Sequence, residues 1–204
     1  MLFLNTPPFI TTLMFSKNEL RYTLALQRVP YLGDATAKKL ILKVGSAEGV
    51  FSERKRTLLK IKGIGPFKLK ALSKKIQLRE AEKEIEFMEK NNVKYRYFLD
   101  KNYPEKLKHC NDGPILYFQK GKINLHHNKV ISIVGTRKIT SYGKSFCEEL
   151  IHELSPLNPI IISGFAYGVD ITAHKSAINN GLQTIACLAH GHNQIYPKVH
   201  TKYV

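Results

Sequence analysis

The feature that most constrains the fold is a set of three short apolar runs in the second half of the chain. They occupy residues 130–134, 160–162 and 184–188, and helical segments at 143–154 and 170–180 separate them. Apolar runs that alternate with helices in this way predict a βαβαβ arrangement, and hence a parallel, doubly wound α/β sheet. Such sheets bind ligands beyond the carboxyl ends of their strands.

Each of the first two runs leads into a loop that contains glycine. The first continues into Gly135-Thr136-Arg137-Lys138, and Tyr142-Gly143 precedes the next helix; the second continues into residues 163–170, SGFAYGVD. Glycine lets the backbone approach a ligand closely, and a guanidinium near a helix start favours anions. The pattern predicts that both loops face one phosphate-binding crevice, with Asp170 as the cap of the following helix.

The first half of the chain has a different character. Apolar spacing over residues 19–42 predicts two helices and a turn, and residues 58–72 predict two shorter helices around Gly63-Ile64-Gly65. This second pattern is typical of a helix-hairpin-helix (a SAM-like helical domain), which binds nucleic-acid backbone through close glycines and nearby lysines. The residues assigned to this role are Lys62, Gly63, Gly65, Lys68 and Lys70. A glycine turn that only packs two helices is the alternative, although a weaker copy at residues 29–33 favours the functional interpretation.

Two further stretches lie between these regions. Residues 73–92 are charged and helical, which indicates a solvent-facing connection between two domains. The aromatic runs at 94–98 and 115–118 are prone to form strands and predict the start of the sheet. The expected organisation is therefore a helical domain at 16–90 and a partial Rossmann-like domain at 91–204, preceded by a disordered or spurious extension at 1–15. Met1 and Met14 are both possible true starts.

Charge and cysteine content indicate what kind of partner and what cellular environment the protein has. Lys and Arg number 32 against 16 Asp and Glu, a formal net charge of +16 that favours a polyanionic partner over a merely basic surface. The three cysteines are far apart, so we expect no disulfide framework, no zinc site and a reducing cytoplasm. The N-terminal stretch lacks a basic start and is too short to span a bilayer, so we expect no export signal and no membrane span.

The ordered motifs resemble the DNA-processing protein A (DprA/Smf) family. The resemblance rests on VGTR at 134–137, YG at 142–143, SGFAYGVD at 163–170, AH at 173–174 and IYP at 195–197, and it extends back to about residue 16. It implies a cytoplasmic bacterial protein that binds and protects single-stranded DNA during natural transformation and recombination. It also implies loading of the RecA recombinase, a homodimer, no cofactor and no catalytic turnover.

The resemblance also implies roles for individual residues. Arg137 and the turn at Gly135 would hold DNA phosphate, while Gly164, Gly168 and Asp170 would shape the pocket wall. Lys138 and Lys175 would extend the basic track. The complete set expected to bind DNA or phosphate is Gly135, Thr136, Arg137, Lys138, Tyr142, Gly143, Ser163, Gly164, Gly168, Asp170, His174 and Lys175.

The sequence departs from the family pattern mildly at two positions and more seriously at its end. Thr136 stands where the family often has Ser, and Phe165 replaces a common Leu. The chain stops after three recognisable parallel strands, so we expect a C-terminally truncated form with an unpaired sheet edge, an uncovered apolar face and a weakened dimer.

Two other interpretations remain open. An enzyme acting on a nucleotide derivative would need His174 or Asp170 as acid or base, yet no carboxylate pair or activated nucleophile is evident. A protein that recruits a recombinase without touching DNA would leave the charge unexplained. His190 and His192 lie two residues apart, but without a third ligand we expect no metal.

Overall fold

The computed structural model describes residues 15–72, 74–122, 125 and 129–203. The chain forms two compact units, which divide between Lys120 and Gly121. The expected extension at 1–14 lies outside the described residues. Phe15, which was grouped with it, packs its ring 4.3 Å from that of Tyr97, centroid to centroid.

The first unit is built on helices and one antiparallel strand pair. Its elements in chain order are α1 Lys17–Gln27, α2 Asp34–Val44, α3 Ala47–Ser52, α4 Lys55–Leu58, α5 Pro66–Lys70, α6 Lys74–Asn91, β1 Lys94–Tyr97, α7 Glu105–Lys108 and β2 Leu116–Gln119. The helices expected over 19–42 are therefore present as α1 and α2. Ser16 caps α1 by accepting the Glu19 N–H at 3.0 Å, and Gly45 ends α2 in a left-handed conformation.

The charged segment at 73–92 keeps most of its charges in solvent, as expected, but it is not a connector between two units, because its apolar face belongs to the first unit's core. Ala81, Ile85 and Met88 on α6 are buried in the helical core. The opposite charges lie between α6 and α1, where Arg21 contacts Glu82 at 2.6 Å. Lys17–Glu89 and Arg28–Glu84 form two more such pairs. The acidic residues of α6 thus face a basic helix, which charge composition alone does not reveal.

The aromatic strands belong to this same unit, which corrects the expected start of the sheet. β1 and β2 pair only with each other among the described residues, in antiparallel register from Lys94–Gln119 to Tyr97–Leu116. Hydrogen bonds tie them to the helices: the Ile115 N–H donates to Asp34 at 2.9 Å, and the Gln27 side chain donates to the Leu116 carbonyl at 3.0 Å. For this reason the first unit continues to Lys120, whereas the sequence placed the boundary at residue 90.

The second unit is a three-stranded parallel sheet with two helices. Its elements are β3 Val130–Ser132, α8 Ser141–Leu154, β4 Ile160–Ser163, α9 Val169–Asn179 and β5 Thr184–Ala186, with 3₁₀ turns at Ser155–Leu157 and Lys198–Tyr203. The strand order is β3-β4-β5, with both pairings parallel. All three apolar runs are therefore strands, as expected.

Both helices of this unit pack against one face of the sheet. Cys147 and Ile151 of α8 share a core with Ala173 and Ala177 of α9 and with Ile161 of β4. A doubly wound sheet carries helices on both faces, and residues 129–203 supply them on one only. The reason is topological, because right-handed crossovers that add strands in one direction place their helices on the same side.

The opposite face of the sheet is partly exposed. Val130, Ile162 and Ile185 alternate away from the helix-covered core and are each half-buried, while Val134 at the end of β3 is 78% exposed. Within the described residues no helix is long and apolar enough to cross a membrane.

Candidate nucleic-acid interface

The loops that follow β3 and β4 contact each other directly at one edge of the sheet. The Val169 N–H donates to the Thr136 carbonyl oxygen at 3.1 Å. Gly168 has φ +79°, and a Cβ there would overlap that same carbonyl oxygen and the Arg137 backbone. A Cβ at Gly135 would lie 2.6 Å from the Val169 side chain. Glycine is therefore required by close backbone approach at both positions.

Buried polar groups hold this arrangement from beneath. The Ser163 hydroxyl donates to the Ile133 carbonyl at 2.6 Å, and Ser163 is buried. His174 is also buried, with Nε2 2.6 Å from the Gly164 carbonyl oxygen and Nδ1 2.6 Å from the Thr184 hydroxyl. Both residues were expected to bind phosphate, but their polar atoms are turned inward and support the loops.

Burial also affects the charge of His174. Removal from water lowers the pKa of its imidazole, with His200 adding to the effect and the Gly164 carbonyl and Asp170 opposing it. A carbonyl oxygen can only accept, so Nε2 carries a proton in contact with Gly164. Nδ1 lies against the Thr184 hydroxyl, whose oxygen is also 3.0 Å from the Ile161 carbonyl oxygen, so both ring nitrogens have a polar neighbour.

Asp170 does not cap α9. The N-cap residue of α9 is Gly168, so no side chain caps the helix, and Asp170 lies in the first turn. Its carboxylate accepts the Ala166 N–H at 3.2 Å, and a Cβ at Gly164 would lie 2.5 Å from its Oδ2. Asp170 thus fixes the loop at 164–168 rather than the helix start.

A 3₁₀ turn near the chain end also supports this loop, and sequence reasoning missed it. His200 is buried and its Nδ1 lies 3.0 Å from the Phe165 carbonyl oxygen. Its ring lies 5.3 Å from those of Phe165 and Tyr167. The one signal available was the aromatic and histidine composition of residues 195–203, which lacks a regular spacing.

The remaining expected residues are at the surface. Thr136, Arg137, Lys138 and Tyr142 are exposed, and Gly143 lies in the first turn of α8, where its N–H donates to the Thr140 hydroxyl at 3.1 Å. The Thr136 hydroxyl accepts the Lys138 N–H at 3.1 Å, which fixes the turn that carries Arg137. Lys175 lies on α9 with its Nζ 5.2 Å from the Tyr203 ring centroid. Across the part of the chain that the structure describes, no carboxylate lies within ion-pair distance of Arg137.

The sequence model of the family described as DNA recombination-mediator protein A matches residues 94–204, more than half of the chain. The chain belongs to this family. The family resemblance drawn from the loop motifs is thereby confirmed. The match includes every strand of the parallel sheet and both of its glycine loops.

Comparisons with individual members of the family agree with this match. The chain is 36% identical over 104 residues to DNA processing protein DprA of Streptococcus pneumoniae, covering 51% of this chain and 36% of that protein. It is 28% identical over 189 residues to Protein Smf of Synechocystis, covering 89% of this chain and 47% of that protein. The X-ray structure of the pneumococcal protein matches with a TM-score of 0.67 and 28% identity, covering 92% of this chain and 63% of the other. The chain spans less than half the length of these curated relatives.

The helical unit places the expected hairpin residues around one turn. Gly63 has φ +87° between α4 and α5, Gly65 precedes α5, and Lys62 and Lys70 are exposed. Lys68 is turned inward, with Nζ 3.3 Å from the Thr36 hydroxyl. The expected helix N-terminus contributes little, because α5 has 5 residues and begins at Pro66, which has no N–H.

Proposed function

We propose that the chain binds single-stranded DNA through the loops after β3 and β4, with Arg137 as the principal phosphate ligand. The observation that carries the proposal is an exposed arginine that has no carboxylate partner among the described residues, held on a turn that is locked by Val169 and Gly168. A free guanidinium on a fixed backbone offers a paired hydrogen-bond donor to phosphate without first breaking an ion pair. Lys138, the next residue, and Lys175 on α9 are exposed and would add further cations.

The net charge supports binding directed at the phosphate backbone. The formal charge of +16 is about twice the upper end of the charge that keeps an ordinary small domain in solution. Contacts to phosphate carry no sequence information, so we expect little base preference at these loops. Gly135 and Gly164 leave room for the side chains of Val169 and Asp170, so their part is to hold the two loops in place.

The role in the cell follows from the family. Relatives are called DNA processing proteins and the family a recombination mediator, so we propose that this chain acts on DNA in transformation and recombination in the cytoplasm. Protection of incoming DNA, assistance in RecA loading and homodimerisation are parts of the same proposal. The helical unit, as a helix-hairpin-helix, would add backbone contacts through Lys62 and Lys70.

The site is less suited to catalysis on nucleotide derivatives than to DNA binding. Catalysis by His174 would need a ring nitrogen that faces the ligand, yet Nε2 contacts Gly164 and Nδ1 contacts Thr184. Asp170 is occupied by the Ala166 N–H. These two residues are more readily explained as supports of a binding loop.

The proposal is tested by titrating a fluorescently labelled oligothymidine with the purified chain at several salt concentrations, with a duplex of equal length as competitor. We expect the logarithm of the affinity to fall linearly with the logarithm of the salt concentration, with a slope of about 0.7 per phosphate contact. The duplex should compete only weakly with the oligothymidine. A folded chain that fails to bind the oligothymidine at low salt would overturn the proposal.

A further inference from the structure

Two aromatic rings stand in solvent at the tips of the helical turns of the first unit. Tyr31 lies in the turn between α1 and α2 and is 73% exposed, and Phe67 lies at the start of α5 and is 64% exposed. Their ring centroids are 4.9 Å apart, with 45° between the ring planes. Residues 36 apart in sequence thus form one exposed aromatic surface, which we call the Tyr31–Phe67 pair.

The pair is held outward although the unit has a core that could receive such rings. Phe51 is buried in that core with Leu24 and Leu40, whereas Tyr31 and Phe67 are not part of it. Tyr31 has φ +63°, a left-handed conformation that bulky residues seldom adopt. A strained backbone that directs a large ring into water is a reason to look for a ligand.

Two lysines join the turns that carry the rings. Lys39 on α2 donates to the Lys62 carbonyl at 2.9 Å. Lys68 on α5 lies 3.3 Å from the Thr36 hydroxyl and 3.4 Å from the Gly63 carbonyl oxygen. These bonds hold α2, which follows the Tyr31 turn, against the Gly63 turn and α5, which carries Phe67. Lys68, the residue after Phe67, supplies a cation to this part of the unit. The nearby Asp34 is turned away, since its carboxylate accepts the Ile115 N–H at 2.9 Å.

We infer that the Tyr31–Phe67 pair is a stacking platform for unpaired bases of a single-stranded nucleic acid. Aromatic rings accept any base face, and the cations around them suit the adjoining phosphates. Charge complementarity favours this occupant over an apolar protein segment, because Lys62 and Lys70, five residues before and three residues after Phe67 in sequence, are exposed. The inference rests on the proposal that the chain binds single-stranded DNA, and it adds a contact to bases on the helical unit.

The chain contains no tryptophan, which allows a direct optical test. Phe67→Trp places the chain's one tryptophan in the pair, and Leu42→Trp places it at an exposed position, 57% accessible, near the other end of α2. Each variant is titrated with a twelve-residue oligothymidine and with an abasic strand of the same phosphate number. A base that stacks on the ring quenches the tryptophan, so we expect quenching of Phe67→Trp by the oligothymidine alone and none for Leu42→Trp.

Affinities of a second variant complete the test. Truncation of both rings, Tyr31→Ala with Phe67→Ala, should weaken oligothymidine binding by roughly fivefold to a hundredfold and leave abasic-strand binding within twofold of the unmodified chain. Equal quenching by both strands, or an equal loss for both, would overturn the platform. Salt-dependent oligothymidine binding that the ring truncations leave unchanged would refute the platform and keep the proposed function. No salt-dependent binding in any variant would refute both.

Discussion

The backbone N–H of Val169 donates to the carbonyl oxygen of Thr136 at 3.1 Å, and this bond joins the start of α9 to the turn that carries Arg137. It is possible because Gly168 leaves the space that any side chain would fill. The position of the exposed guanidinium therefore depends on a contact between two residues that are 33 positions apart in sequence.

The first prediction concerns Gly168. Gly168→Ala should destabilise the second unit by about 2 kcal/mol or more, because the new Cβ would overlap the Thr136 backbone and the residue has φ +79°. Gly181 is the matched control, since it has φ +69° but nothing within 4 Å of a Cβ. Gly181→Ala should cost only the conformational strain, about 1 kcal/mol. Urea denaturation measures both, and equal losses would show that the contact between the loops is absent.

The second prediction concerns the core of the helical unit. Leu40 is fully buried on α2, and Leu42, two residues on, is 57% exposed. Leu40→Ala should lower the free energy of unfolding by about 3 kcal/mol, whereas Leu42→Ala should change it by less than about 0.5 kcal/mol. Thermal and urea unfolding of the two variants compare these values. A large loss from Leu42→Ala would mean that α2 buries a different face.

The third prediction concerns pH and His174. Its pKa is lowered in the folded chain from an ordinary value of 6.5, chiefly by burial, so the unfolded chain takes up the proton first as the pH falls. The stability that the neutral ring contributes is therefore fully present above about pH 6.5 and is lost as the pH falls below it. His174→Gln should remove this dependence. Unfolding curves of the two proteins between pH 8 and 5 should converge as the pH falls, and curves that stay parallel would contradict the assignment.

Local signals in the sequence were enough to predict the parallel sheet. Apolar runs separated by amphipathic helices are buried strands and crossovers, and the three runs are β3, β4 and β5. The placement of the two glycine loops at one edge of the sheet was also predictable, because parallel strands end at the same edge, whereas the bond between Val169 and Thr136 was not. The family motifs, which lie in these loops, carried the resemblance that the family match bears out.

Long-range packing was not predictable from the same signals. The aromatic runs at β1 and β2 look like part of the large sheet, but contacts from Asp34 and Gln27 bind them to the helical unit. The residues of α6 look like a connector, because their partners Arg21 and Arg28 lie about 60 residues away. Ser163 and His174 have side chains typical of a binding site, and only the structure reveals that their polar atoms face inward.

The central claim is tested most directly by the salt dependence of oligothymidine binding in Arg137→Ala, compared with Arg79→Ala. Arg79 is an exposed arginine on α6, so the two variants lose the same charge at different places. Arg137→Ala should weaken binding and reduce the slope of log affinity against log salt by about 0.7, the value for one phosphate contact to a single strand. Arg79→Ala should leave the slope unchanged. Equal slopes and affinities for the two variants would contradict the account, because bulk charge rather than the loop at Arg137 would then hold the DNA.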